Sequence, residues 1–437
     1  MAGAKLLSPR SLNQLKRRLR MKRKFWGVTL ILTIVMIFTF NQAHAAPSEI
    51  IIGATAPLTG PAAEAGIALR QGITMLVDEW NAKGGIQIKE AGKKIPVKVI
   101  IEDSQSKPEV GVSVGEKLIT RDKVHFLMGD SFASSVTMAM MELAPKYGIP
   151  MMSIEPVSIE IAKKIESNPQ RYWSFWKGDW NSDAYANTIF STYKYLLDNN
   201  LFAPKNKTIA FIVEDTDYGR SNADKSKQLF DGIGWKTVAS ETVALGYTDF
   251  YPQLTKLKAV NPDILVTIFT SLASGVAHAK QFHEVGLKSS QFAIYYPLRP
   301  EFRDQAGKAG EGLLWSPLNF DPANNPKHKE FAEKVQKRWN VKASSDHISG
   351  YDGANNVLHV IEKAGTLEPK AVVEALSKLD LEGYFGKYVF DQKTHTVKDG
   401  ESFLPVPTAQ IQDGNNIMVW PPSMASGKYK KQAWLQD

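Results

Sequence analysis

The sequence predicts an α/β protein built as two doubly wound lobes, and three observations lead there. Short β-branched runs alternate with longer helix-patterned stretches, which implies parallel sheets with right-handed crossovers. The alternation restarts after residue 180. Setting aside an amino-terminal leader over residues 1–45 leaves about 392 of the 437 residues, too many for one core and natural for two domains.

The first strand is read at Ile50-Ile51-Ile52, followed by a helix over 65–81 with Ile67, Met75, Leu76 and Trp80 on its apolar side. Gly84-Gly85 stops that helix. A strand at 97–101, a helix at 110–120, a strand at 124–128, a helix at 138–147 and a short strand at 150–152 complete the first run. The second run reads as a helix at 182–199, a strand at 208–213, a helix at 224–230, a strand at 264–268, a helix at 274–285 and a strand at 292–295. Three helices, 326–339, 353–363 and 369–379, then need a lobe to cover. From Gly386 onward the chain has the look of β-hairpin and loop. No repeat of solenoid period is visible.

Residues 1–45 have the layout of a cleaved secretory signal. A basic stretch from Lys16 to Lys24 precedes an apolar run, Phe25 to Phe40, and the small-x-small pattern Ala43-His44-Ala45. The run is shorter than the roughly 20 residues of a spanning helix. Met21 is an alternative start to Met1. Of the 53 basic residues, nine precede residue 46, which leaves 44 against 45 acids, so the basic pI belongs to the leader and gives no support for nucleic-acid binding. The absence of cysteine excludes disulfides, thiolate catalysis, Cys-based metal sites and a lipid anchor at the cleavage point. An exported chain without that anchor is expected in a periplasm.

In open parallel sheets ligands bind beyond the carboxyl ends of the strands. The segments to inspect are therefore 53–64, 129–135, 153–158, 214–220, 269–274 and 295–300. On the motifs at 53–60, 78–85, 215–220, 248–250, 261–263 and 350–354 the chain resembles the leucine/isoleucine/valine-binding family of type I periplasmic solute-binding proteins of ABC importers. Gly53-Ala54-Thr55-Ala56-Pro57-Leu58-Thr59-Gly60 is similar to the family's first strand-to-helix loop, and Asp78-Glu79-Trp80-Asn81-Ala82-Lys83-Gly84-Gly85 to its first helix end. Asp215-Thr216-Asp217-Tyr218-Gly219-Arg220, Thr248-Asp249-Phe250, Asn261-Pro262-Asp263 and Gly350-Tyr351-Asp352-Gly353-Ala354 follow in the family's order, over about residues 48–395. The resemblance implies two Rossmann-like lobes joined by a three-strand hinge, with crossings near 176–180, 318–320 and 398–405. It implies an N-terminal lobe of 46–176 plus 320–398 and a C-terminal lobe of 177–319 plus 399–437. It also implies capture of a small molecule and its delivery to a membrane ABC permease with ATPase subunits.

The positions that hold an amino acid in that family differ here. Where the family has a serine for the ligand carboxylate, four residues after Gly129, this chain has Ala133, with Ser134 next. The carboxylate- and ammonium-binding turn reads Ser153-Ile154-Glu155-Pro156-Val157-Ser158, and Glu155 would repel a carboxylate. The acid for the ligand ammonium falls near Tyr296, an aromatic of the first loop aligns with Ala65, and only Tyr218 is kept. An aromatic set remains around the cleft: Phe132, Trp176, Trp180, Tyr218, Tyr295 and Tyr296. The ligand expected is therefore aromatic, amide-like or cationic rather than leucine. Its candidate contacts are Ser131, Phe132, Ala133, Ser134, Glu155 and Pro156 from the first lobe. Trp176 and Trp180 come from the hinge, and Tyr218, Thr270, Ser271 and Tyr296 from the second lobe.

Two other readings carry less. Gly129-Asp130-Ser131-Phe132-Ala133 has the setting of a hydrolase nucleophile elbow, but Ala133 replaces its final glycine and no acid or His has a matching context. A ligand-sensing receptor domain would normally be fused to a membrane span, and no long apolar segment follows residue 46. His278 and His283 are five apart on a helix, off the spacing that puts two metal ligands on one face. Neither a cofactor nor a metal is expected, no G-x-G-x-x-G or P-loop follows a strand, and a monomer without catalytic activity is the expected form.

Overall fold

In the computed structural model, residues 47–435 are described, together with residues 10, 13, 14 and 17. The leader expected over 1–45 otherwise lies outside the described residues. The first run of the chain carries β1 (Ile50–Ala56), a small hairpin of β2 (Ile86–Ile88) and β3 (Lys93–Ile95), then β4 (Val97–Asp103), β5 (Phe126–Asp130), β6 (Met151–Ser153) and β7 (Phe175–Lys177). Five of these form one parallel sheet in the order β4-β1-β5-β6-β7. The second run carries β8 (Thr208–Glu214), β9 (Lys236–Val243), β10 (Ile264–Phe269), β11 (Ser290–Tyr295) and β12 (Leu314–Ser316). A hairpin of β13 (Asp380–Glu382) and β14 (Lys387–Val389) follows, then β15 (Thr408–Gln412) and β16 (Asn415–Trp420). The second sheet has the order β16-β15-β12-β11-β10-β8-β9, its last two chain segments antiparallel.

Two separate sheets, rather than one continuous sheet, are what restarted alternation requires. Every residue of β8, β10 and β11 is buried, as expected of parallel strands covered on both faces. Strand β9 escaped the sequence reading because it is an edge strand, polar and partly exposed along KTVASETV. Strands β7 and β12, with three residues each, are too short to leave a periodic signal. Strand β5 begins two residues later than expected, and the helix expected at 138–147 is two helices, Ser134–Met140 and Leu143–Tyr147.

The helices Ala63–Ala82 and Ser345–Ala364 lie against each other beside the first sheet at glycine contacts. A Cβ on Gly72 would stand 2.0 Å from the His347 carbonyl oxygen, and one on Gly350 would stand 2.2 Å from that of Leu69. That close approach fixes the start of the second helix. It begins at Ser345, eight residues before the sequence expectation, with Ser344 and His347 closing a capping box. The chain leaves the first sheet after β7, returns after β12, and crosses again between β14 and β15. Among the described residues, no helix is long and apolar enough to cross a membrane.

Candidate ligand-binding cleft

The carboxyl ends of both sheets face one cavity of about 760 Å3 of atom-free space, mouth included. That size suits a small molecule. The loop after β5 supplies Phe132, Ala133 and Ser134, and the loop after β6 supplies Glu155 and Val157. Asp130 shapes the first of these loops: its Oδ1 accepts hydrogen bonds from the backbone N–H of Phe132 (3.0 Å) and of Ala133. The Ser134 hydroxyl accepts from the Ser158 N–H at 3.1 Å, which leaves its own proton available. Ser345 and Ser349 come from the first turns of the helix Ser345–Ala364.

From the second sheet come Glu214 at the end of β8, Thr216 and Tyr218 beyond it, Thr270 after β10, and Tyr295 at the end of β11. Asp179 and Trp180 line the cavity where the chain first crosses, and Pro317 and Asn319 where it returns. Trp180, Tyr185 and Tyr218 form a chain of edge-on rings with centroids 5.7 and 6.3 Å apart. Tyr218 Oη, Asn319 Oδ1 and Ser345 Oγ are buried at this wall without a protein partner.

Three carboxylic side chains reach the wall, Glu155, Asp179 and Glu214, and no Lys or Arg does. Burial pushes Glu214 up to about 7, against the hydrogen bonds it accepts from Thr270 N–H and Oγ1 (both 2.8 Å) and from Thr216 (3.2 Å). Burial pushes Asp179 up to about 8, opposed by the nearby charge of Lys177. Lys177, fully buried, donates to the backbone carbonyls of Asp179 (2.9 Å) and Trp180, so it straps the crossing in place. Burial, and next the charge of Asp346, hold Glu155 well above the usual carboxylate range.

Tyr295 connects the two walls. Its hydroxyl lies 2.6 Å from Asp346 Oδ1 and 3.1 Å from Glu155 Oε2, and its ring meets Phe132 edge-on at 5.9 Å. Its backbone sits at φ 80, ψ −59, a strained γ-turn region that a tyrosine adopts only when its surroundings impose it. Arg299, 3 % exposed, lies with its guanidinium 5.1 Å from the Tyr295 ring centre, 4.0 Å from Asp346 and 3.8 Å from Glu64.

Of the twelve residues expected at the ligand, Phe132, Ala133, Ser134, Glu155, Trp180, Tyr218 and Thr270 line the cavity. The other five do not. Ser131 points into protein, its hydroxyl buried without a hydrogen-bond partner, so no imidazole stands beside it where a hydrolase would need one. Pro156 is buried within its loop, and Ser271 caps the helix Leu272–Val285 by accepting from Ser274 N–H. Trp176 is stacked on His395 at 4.1 Å, an interior contact of the crossing. Tyr296 belongs to the core of the second sheet, bonded to Thr267 at 2.9 Å and packed on Phe269 and Phe302. Its neighbour Tyr295 holds the place expected for it. Glu155 does not pair with Lys163 or Lys164, which bond Glu160 and Glu142 instead.

Asp179, Tyr185, Glu214 and the start of the helix Ser345–Ala364 were missing from the expected set, and Tyr295, expected among the rings around the cleft, was missing from the expected contacts. Glu214 and Tyr295 fall inside the strand-end segments that the parallel-sheet rule marks. The Ser344–His347 capping signature would have moved the helix start into the cleft.

Two α/β sheets whose carboxyl ends face one polar-and-aromatic cavity define a solute-binding fold. The chain belongs to the periplasmic binding protein family, whose profile matches residues 49–414. It is similar to the Leu/Ile/Val-binding protein homolog 2 of Brucella abortus, 26 % identical over 373 residues, with 85 % of this chain and 92 % of the relative covered. The branched-chain amino acid transporter substrate-binding protein LivJ of Streptococcus pneumoniae, solved with isoleucine, superposes with a TM-score of 0.71 at 22 % identity, covering 85 % of this chain and all 100 % of that one. A solute-binding protein of an ABC transporter from Rhodopseudomonas palustris BisB5, solved with 3,4-dihydroxybenzoic acid, gives 0.71 at 20 % identity, covering 85 % and 97 %. At these identities the two structures establish the fold.

Proposed function

We propose that the chain captures a small solute in this cavity after export to the periplasm and presents it, as a monomer, to an ABC permease with its ATPase subunits. In this reading the leader 1–45 is removed without a lipid anchor. The lobes are 46–176 plus 320–398 and 177–319 plus 399–437, hinged at the three crossings, and they close on the ligand as periplasmic binding proteins do. The protein binds and does not turn its ligand over.

The observation that carries the reading is the cavity wall itself, drawn from both sheets, with rings, carboxyl groups and unpartnered polar atoms facing inward. The same wall argues for an aromatic, amide-like or cationic solute. A leucine carboxylate would meet the methyl of Ala133 and the acid of Glu155, and an anion beside a buried carboxyl is strongly disfavoured. A thermal-shift screen of residues 46–437 against amino acids, aromatic acids, amides and amines tests it. A ligand at a hundred times its Kd should stabilise by about 2.7 kcal/mol. No shift with any compound of such a screen would count against solute capture.

A further inference from the structure

Resting on that reading, we propose that the solute carries a protonated nitrogen and that Glu155 is the group that holds it. The three carboxyl groups at the wall differ in what the protein sets against their oxygens. Glu214 has Thr270 and Thr216 on its oxygens. Asp179 accepts from the Trp180 N–H at 2.8 Å and has the Lys177 ammonium close by. Glu155 has two hydroxyls, those of Tyr295 and Ser349, but no Lys or Arg of the cavity wall beside it.

The side-chain contacts of Glu155 are the hydroxyls of Tyr295, at 3.1 Å, and of Ser349. Tyr295 has one proton to give and two carboxylates in reach, and Asp346 is the nearer at 2.6 Å. The Tyr295 proton can serve only one of them, and burial beside the Asp346 charge keeps a proton on Glu155 itself, which an incoming cation would displace. Arg299 lies 4.0 Å from Asp346 and 3.8 Å from Glu64, feels the Glu155 charge only after those of Asp346 and Glu64, and is not part of the cavity wall. An ionised carboxylate in so dry a setting is stable only when a cation or several donors face it. A protonated amine supplies both, with up to three N–H donors directed at Glu155. The surrounding rings of Phe132, Trp180 and Tyr295 give such a cation a second favourable contact.

A neutral Glu155 that donates its own proton to a carbonyl is the competing chemistry, and one head-group series separates the two. Benzylamine, phenethylamine and putrescine should bind by calorimetry, whereas benzamide and benzoate should bind at least 100-fold more weakly than the best amine. Glu155→Gln should weaken that amine at least 100-fold, while Glu155→Asp, which keeps the charge, should lose less than Glu155→Gln. Circular dichroism and the melting temperature of each variant establish that the fold is intact. Tighter binding of benzamide or benzoate than of any amine, or amine binding unchanged in Glu155→Gln, overturns the inference while leaving solute capture standing. No binding by any compound, leucine included, overturns both.

Discussion

The two walls of the cleft follow the same geometric rule and support their carboxyl groups differently. On the wall from the second sheet the carboxyl group is answered by its neighbours: Glu214 is held by Thr270 and Thr216, while Tyr218 Oη has no partner. On the wall from the first sheet, Ser134 keeps an unused proton, Ser345 Oγ has no partner, and Glu155 shares the Tyr295 hydroxyl with Asp346. The comparison teaches that position beyond a strand end identifies a candidate, but the state of its partners decides whether it acts as scaffold or as recognition.

The sharpest way to break this contrast is Glu155→Gln, where binding and stability should move in opposite directions. Loss of a 100-fold affinity for an amine corresponds to about 2.7 kcal/mol. Removing an acid held beside Asp346 in a buried site should meanwhile raise the stability of the protein without added ligand by about 1 kcal/mol in urea unfolding. A variant that loses stability along with affinity would make Glu155 a scaffold residue like Glu214.

On the opposite wall, Glu214→Ala strands the Thr270 N–H and should cost about 1–3 kcal/mol of stability. Glu214→Gln probes the same site through pH. The folded-state value of about 7 lies above the ordinary 4.5, so the folded protein holds a proton that the unfolded chain releases first. The stability tied to that proton is complete below about pH 4.5 and is lost as the pH rises through about 7. Glu214→Gln escapes that loss, so its stability relative to wild type should increase across this window. Unfolding both proteins in urea at several pH values checks it, and a flat difference would mean the carboxyl ionises freely.

The smallest expected effect separates two adjacent tyrosines. Tyr296→Phe should lose about 1 kcal/mol with its Thr267 bond and leave ligand affinity unchanged. Tyr295→Phe should alter affinity, because its hydroxyl touches both Glu155 and Asp346. Equal behaviour of the two variants would erase the distinction between core and cleft.

Much of the fold was legible because parallel strands read as apolar runs, and the restart after residue 180 announced a second sheet. The edge strand β9 and the three-residue strands β7 and β12 lacked that signal. At the site, strand-end loops pointed to Phe132, Glu155, Tyr218 and Thr270, all of which line the cavity. The choice of Tyr296 over Tyr295 failed because β11 ends at Tyr295 in a γ-turn conformation, φ 80 and ψ −59, a backbone reversal that no local sequence signal announces. Asp346 was invisible for another reason: it meets Tyr295 from the first turn of a helix that comes only after β12, and a start misplaced by eight residues hid it.

Titration of residues 46–437 with leucine by calorimetry tests the central claim most directly, that this cleft belongs to the fold of the leucine-binding proteins without sharing their ligand. The account predicts no measurable heat of binding at micromolar leucine, in wild type and in Glu155→Gln alike. Sub-micromolar leucine binding that Glu155→Gln leaves untouched would contradict it.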